Sequence, residues 1–86
     1  NQMTRSLALT YARENIRVNA IAPGYVDTPI LSMVPDNIKE AMGTELPIGR
    51  LGKDTEIANL ICYLLSDDAS FITGAIIPID GGFTAK

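Results

Sequence analysis

The 86-residue sequence contains no histidine, no tryptophan and only one cysteine, and each shortage removes a class of chemistry. Cys62 cannot close an internal disulfide, and without histidine there is no zinc-type ligand set, so no metal site is expected. Nor is there an imidazole to activate Cys62 as a nucleophile; beside the apolar stripe of its helix it reads as a small packing residue. Basic residues are few: seven Lys and Arg stand against ten Asp and Glu, a net charge of −3, with no cluster among them. Nucleic acid and anionic lipid are therefore not expected partners. No apolar run approaches the roughly 20 residues of a membrane helix, so no membrane partner is expected either. The start, "NQMTRSLALTYA", lacks a basic and then apolar leader and reads as internal. Together these shortages suit a reducing, cytoplasmic setting.

What is present is a globular composition, 47% hydrophobic and 20% charged, which excludes disorder. At this length a single core and no second domain are expected, so residues 1–86 are read as one segment. Met3, Leu7 and Tyr11 recur every four residues and predict an amphipathic helix over residues 2–13. "IRVNAIA", residues 16–22, is a β-branched and apolar run closed by Pro23 and Gly24, as in a strand covered on both faces of a parallel sheet. Residues 25–52 carry three prolines and three glycines; they read as a mobile, partly helical excursion, with a short helix over 35–42 begun by Pro35.

From Asp54 the pattern sharpens. Ile57, Leu60, Ile61, Leu64 and Leu65 form a core-facing stripe, Asp54 is placed as the helix N-cap, and Glu56 sits in the first turn where the helix dipole favours an anion. Residues 75–79, "AIIPI", predict a second strand ended by Asp80-Gly81-Gly82. Pro78 lacks the N–H that a central strand would use, which puts this strand at a sheet edge. Strand, crossover helix and second strand form a right-handed βαβ unit of an open, doubly wound sheet. Two strands cannot cover both their faces, so more sheet is expected upstream. The fold class is α/β: the C-terminal part of a Rossmann-like domain, ordered helix, strand, helical excursion, helix, edge strand.

"NIRVNAIAPGYVDTPI" followed by "PIGRLGKDTEIANLICYLLSDDASFITGAIIPIDGG" resembles the C-terminal third of a short-chain dehydrogenase/reductase (SDR) family protein. The pieces in order are a helix, a strand ending in N-x-x-x-P-G-x-(V/I)-x-T, a variable excursion, an "EIA" helix and a strand closing with "DGG". The family's Gly-rich nucleotide-binding turn and its Tyr-x-x-x-Lys pair have no match here, and the resemblance implies that both lie upstream. No catalytic residue is therefore assigned within these 86 residues, and the segment alone is expected to be inactive.

The resemblance implies NAD or NADP as cofactor, a small carbonyl or alcohol substrate, and Pro23, Gly24, Val26 and Thr28 as cofactor contacts. Chemistry agrees. Ligands of open α/β sheets bind beyond the carboxyl ends of the strands, where "PGYVDT" lies. Gly24 lets the backbone turn unusually or approach a flat ring, and Pro23 fixes its direction. A nicotinamide carboxamide needs an acceptor and donors; the N–H and C=O around Val26, free once the strand ladder ends, and the Thr28 hydroxyl supply them. Thr28 before Pro29 could equally cap the next helical turn. Asn19 reads as a structural hydrogen-bonder, Arg50 as a structural tie or a solvated residue, and Asp67-Asp68 as a solvated helix end.

Residues 29–46 suit either an apolar lid over substrate or ordinary packing of a surface helix. Cys62 and Tyr63 widen the apolar face of their helix, compatible with a subunit contact or with core packing. The resemblance implies a homodimer or homotetramer through the Asp54–Leu65 helix and the strand from Ala75 to Ile79. A non-catalytic dinucleotide-binding or oligomerising protein of the same fold is the alternative.

Overall fold

The computed structural model describes residues 2–86. Helix α1, Gln2–Tyr11, tightens into a 3-10 turn at Ala12–Glu14 and stops at Asn15, whose left-handed φ of 62° suits an Asn at a helix end. The sequence pattern carries the helix to residue 13; the last turn is present but narrower. The face it buries differs from expectation. Thr4 and Ala8 are buried, whereas Met3, Leu7 and Tyr11 are 69%, 40% and 38% exposed. Ala8 lies against the turn at Gly74, so close that a Cβ built there would stand 3.4 Å from the Ala8 Cβ. Only small residues fit so near a backbone, and the larger stripe is left outward.

Strand β1, Ala20–Pro23, pairs in parallel with β4, Ile76–Ile79, in the register Ala20 with Ile76 through Pro23 with Ile79. The expected strand began at residue 16, but the ladder starts four residues later and includes Pro23. The cause is side-chain bonding. Arg17 Nη1 donates to the Ile72 carbonyl at 3.3 Å, Asn19 Nδ2 donates to the same oxygen at 3.0 Å, and Asn19 Oδ1 accepts the Ala75 N–H at 3.0 Å. The amide side chain thus stands where a rung would otherwise be, and Asn19 is the structural hydrogen-bonder its type implies. Among the described residues β4 has β1 as its one neighbour, so Pro78 sits on an edge strand.

Between these strands the chain makes a second, two-residue parallel ladder that the sequence pattern does not show. Val26–Asp27, β2, pairs with Gly52–Lys53, β3. The excursion it closes holds a 3-10 turn, Pro29–Met33, and helix α2, Asp36–Thr44, which Pro35 precedes as N-cap rather than entering as a helical residue. Helix α3, Asp54–Leu65, has Lys53 and not Asp54 at its N-cap position. The first turn is held from inside the helix: Glu56 Oε1 accepts the Lys53 N–H at 2.9 Å. A carboxylate at the third helical position, reaching back to an orphan N–H, displaces the expected cap by one residue.

Among the described residues the buried hydrophobic side chains are Ala8, Leu46, Leu64 and Ala69. The Cα radius of gyration is 15.5 Å, where about 12 Å is usual for a compact chain of this length. The accessible surface is 6319 Å², against roughly 4,900 Å² expected for a compact monomer of this mass. Ile61 and Leu65 of the α3 stripe are exposed, as are Cys62 and Tyr63. Cys62 is therefore not a packing residue among the described contacts. The segment is a pair of half-covered strands with its helices splayed beside them, as in one part of a larger doubly wound layer.

Candidate functional site

The carboxyl ends of β1 and β4 lie side by side, and the residues immediately after them, Gly24 and Asp80, meet. The Gly24 N–H donates to the Ile79 carbonyl at 3.2 Å. A Cβ on Gly24 would stand 2.8 Å from the Asp80 Cβ and 2.9 Å from its Cα. Gly24 is not among the residues with positive φ, so glycine is required here by the closeness of Asp80 and not by an unusual turn. Gly24 also lines a cavity of about 340 Å³, which residues 22–25 share with Leu46, Asp80 and Phe83. That volume is at the small end of the range for ligand pockets.

Pro23 and Gly24 line this cavity, whereas Val26 and Thr28 are not among its lining residues. The ladder does not simply end at Pro23, as the sequence pattern suggests, because Val26 enters the β2–β3 pair. Its backbone groups are turned outward for a different reason. The rung is made by the Gly52 N–H donating to the Tyr25 carbonyl at 2.9 Å. Successive residues of a strand point their N–H and C=O to opposite sides, so a rung through Tyr25 directs those of Val26 away from β3. Thr28 occupies the N-cap position of the 3-10 turn, with its carbonyl accepting the Leu31 N–H at 2.9 Å, yet its hydroxyl makes no cap hydrogen bond. Of the two roles open to Thr28, the side chain is left for something other than capping.

A donor–acceptor pair on one backbone residue, a hydroxyl two residues on, and a proline-stiffened wall suit a planar carboxamide-bearing ring. None of these groups is acidic, and among the described residues no base is hydrogen-bonded to the Thr28 hydroxyl to make it a nucleophile. The arrangement can bind and orient; it contains no titratable acid and no activated nucleophile of its own. Asp27, exposed at the end of β2, pairs with Lys39 of α2 at 3.4 Å and ties the excursion to the site.

Three groups near the site have a weak signal in the sequence or none. Arg50 makes a two-pronged contact with Glu56, Nη1 to Oε1 at 2.8 Å and Nη2 to Oε2 at 3.1 Å, and also donates to the Leu51 carbonyl at 3.1 Å. It is a structural tie. Hydrogen bonding from Arg50, with the Lys53 N–H second, brings the Glu56 carboxyl down to about 2. Asp80 accepts from the Thr84 hydroxyl at 2.8 Å, the Gly82 N–H at 3.0 Å and the Thr84 N–H at 3.2 Å, and the Thr84 hydroxyl above all holds its carboxyl below the usual range. The sequence marks Asp80 as the end of a strand; that it faces Gly24 is a tertiary fact. Phe83, 6.4 Å from the Tyr25 ring, has no sequence signal of its own. Among the described residues no group of acidic or cysteine side chains is placed to hold a metal.

Parallel strands joined through a crossover helix define an α/β, Rossmann-like class of fold. Comparison with known proteins narrows this. A short-chain alcohol-dehydrogenase-type family model described as enoyl-(acyl carrier protein) reductase matches residues 1–84. The chain is 52% identical to a cis-4-hydroxycyclohexanecarboxylate dehydrogenase of Sinomonas cyclohexanicum, over 96% of this chain and 33% of that protein. It is 45% identical to a 3-oxoacyl-[acyl-carrier-protein] reductase of Thermotoga maritima, over 93% of this chain and 32% of that protein. A crystal structure of a short chain dehydrogenase family protein from Francisella tularensis superimposes with a TM-score of 0.87 at 42% identity, covering 99% of this chain and 40% of that one. The chain belongs to the short-chain dehydrogenase/reductase family, a family of oxidoreductases. It spans about a third of the length of the curated relatives it matches.

Proposed function

We propose that this chain is the part of an NAD(P)-dependent oxidoreductase that holds the nicotinamide end of the cofactor and closes over a small carbonyl or alcohol substrate. The observation that carries the proposal is the turn after β1, where the Val26 N–H and C=O are directed away from their ladder and the Thr28 hydroxyl makes no cap bond. In this reading Val26 engages the carboxamide through its backbone, Thr28 adds a hydrogen bond, and Pro23 and Gly24 form the wall that sets the ring's position. The cofactor, when bound, supplies or accepts the hydride exchanged with a carbonyl or hydroxyl carbon.

The chain's own residues orient and shield. Leu46, buried, and the half-buried Leu31 and Val34 place apolar surface in the excursion over residues 29–46, which serves as the substrate lid and excludes water. The proton donor is not among Pro23, Gly24, Val26 and Thr28, so these residues alone do not turn over substrate. The exposed Ile61, Tyr63 and Leu65 of α3 suit a homodimer or homotetramer contact that also includes β4. Among the described residues no helix is long and apolar enough to cross a membrane; a cytoplasmic location is part of the proposal.

Titration of the full-length protein with NADH and NADPH, followed by nicotinamide fluorescence, tests the reading. Binding of one or both is expected, weakened about fivefold in Thr28→Val, the loss of one hydrogen bond worth ~1 kcal/mol. Failure of both dinucleotides to bind a folded wild-type protein overturns it and leaves an oligomerising role for the same fold.

A further inference from the structure

The seven residues from Asp80 to the last lysine touch both the cofactor turn and the foot of the lid. On one side Asp80 packs against Gly24, leaving no room for a Cβ there, and Phe83 faces the Tyr25 ring. On the other side the Gly81 carbonyl accepts the Ile48 N–H at 3.0 Å. A Cβ on Gly81 would stand 2.7 Å from the Ile48 Cγ2. Lys86 Nζ reaches the Glu45 carbonyl at 2.9 Å while lying 4.7 Å over the Phe83 ring. The strand-end turn and residues 45–48, where the lid returns to the body, are thus both referenced to one short segment.

The segment is stiffened internally by one side chain. The Asp80 carboxylate takes three hydrogen bonds, from Gly82 N–H, Thr84 N–H and Thr84 Oγ1. Charge-assisted bonds of this kind are the stronger ones, and three on one carboxylate fix the turn's shape. Gly81 sits within that turn at φ +64°, a conformation a substituted residue rarely takes.

From this geometry we propose that Asp80 is a positioning residue: through the turn it organises, it sets the nicotinamide-holding turn at Gly24 and the lid foot at Ile48 relative to each other. The proposal rests on the cofactor and lid roles given above. It adds that cofactor affinity and substrate affinity share one structural control, the turn that Asp80 holds, and not a contact of Asp80 with either ligand. Asp80 lies in the cavity wall, but its carboxylate is engaged with Gly82 and Thr84, so it acts through the turn.

The test is made on the full-length protein with Asp80→Ala, Asp80→Asn, Thr84→Val and Gly81→Ala. Two readouts are used: hydrogen exchange at the Gly24 and Ile48 amides without cofactor, and KM for cofactor and for substrate beside kcat. Asp80→Ala is expected to speed exchange at both amides together and to raise both KM values about three- to tenfold with kcat changed less than twofold. Asp80→Asn, which keeps an acceptor, is expected to recover most of the loss. Thr84→Val removes the 2.8 Å bond and follows in the same direction by a smaller factor, which provides the answer should Asp80→Ala fail to fold. Gly81→Ala presses on Ile48 and is expected to raise the substrate KM more than that of the cofactor.

Faster exchange at one amide alone, or a change in kcat with both KM values steady, overturns the proposal. If wild-type protein binds neither dinucleotide, the functional reading fails, while the exchange data still decide whether Asp80 links the two segments.

Discussion

The two ends of the β1–β4 pair are closed by different kinds of residue and used differently. At the amino end, Arg17, Asn19, Thr73 and the backbone of residues 72–75 are bonded to one another: both ends of the Asn19 amide are engaged, and the Thr73 hydroxyl accepts the Val18 N–H at 3.1 Å. At the carboxyl end, contact is made by closeness of backbone, Gly24 against Asp80, while the Val26 backbone groups and the Thr28 hydroxyl are directed elsewhere. Polar side chains close the first end; glycine closes the second, where the Val26 backbone makes no rung to β3 and the Thr28 hydroxyl makes no cap bond. The difference teaches where to look for a site in such a fold: at the strand end whose hydrogen-bonding capacity is not consumed by the fold itself.

The largest effect should come from filling the space that glycine leaves. In Gly24→Val, two γ-carbons are added beyond a Cβ already within 3.0 Å of Asp80 backbone and side chain. A backbone neighbour cannot swing aside as a side chain can. A loss of about 1–3 kcal/mol or more is expected from overpacking, together with loss of dinucleotide binding, measured by urea unfolding and fluorescence titration. Wild-type stability in this variant would mean that the carboxyl end is not closed by proximity, and the contrast between the two ends would collapse.

Breaking the amino end should act on stability alone. Asn19→Ala leaves the Ala75 N–H without its acceptor and removes one of the two donors to the Ile72 carbonyl. A loss of ~1–2 kcal/mol is expected for partly buried groups left unsatisfied, with cofactor affinity within a factor of two of wild type. A large fall in affinity beside a small fall in stability would show that the amino end also shapes the site.

The unequal legibility of the molecule follows from the same contrast. The order of helix, strand, excursion, helix and strand was readable because it rests on periodicity and on Pro and Gly punctuation, which are local properties. The buried side of α1 was not: the Met3, Leu7 and Tyr11 stripe is the more apolar face, but the nearest backbone, at Gly74, admits only the small Ala8. The cap of α3 was missed by one residue because Glu56 bonds backward to the Lys53 N–H. The short β2–β3 ladder could not be read at all, since two residues per strand carry no period. Pro23, Gly24, Val26 and Thr28 are proposed as cofactor contacts through a motif, whereas the partner that makes Gly24 necessary, Asp80, lies 56 positions away in sequence and is fixed only by the parallel register of β1 and β4.

The smallest expected effect tests whether the carboxyl-end region depends on charge where its excursion returns, at Arg50 and Glu56. Both side chains are solvent-exposed, so the pair is screened and its contribution modest. The Glu56 carboxyl is lowered from 4.5 to about 2 in the folded chain, by Arg50 first and the Lys53 N–H second. A carboxyl with a lowered folded pKa stabilises above its ordinary value, and that stabilisation is lost as pH falls. The stability difference between wild type and Glu56→Gln should therefore be constant from neutral pH down to about 5, shrink between 4.5 and 2, and vanish below that. Glu56→Gln keeps an oxygen able to accept the Lys53 N–H, so the titrating part reports the Arg50 contact in particular. Thermal unfolding of the two proteins across this range gives the comparison, and raising the salt concentration should narrow it at neutral pH. Equal stability of the two proteins at every pH would assign the role of Glu56 to capping alone, and the return of the excursion would then be held, like the amino end of the strands, by hydrogen bonds without charge.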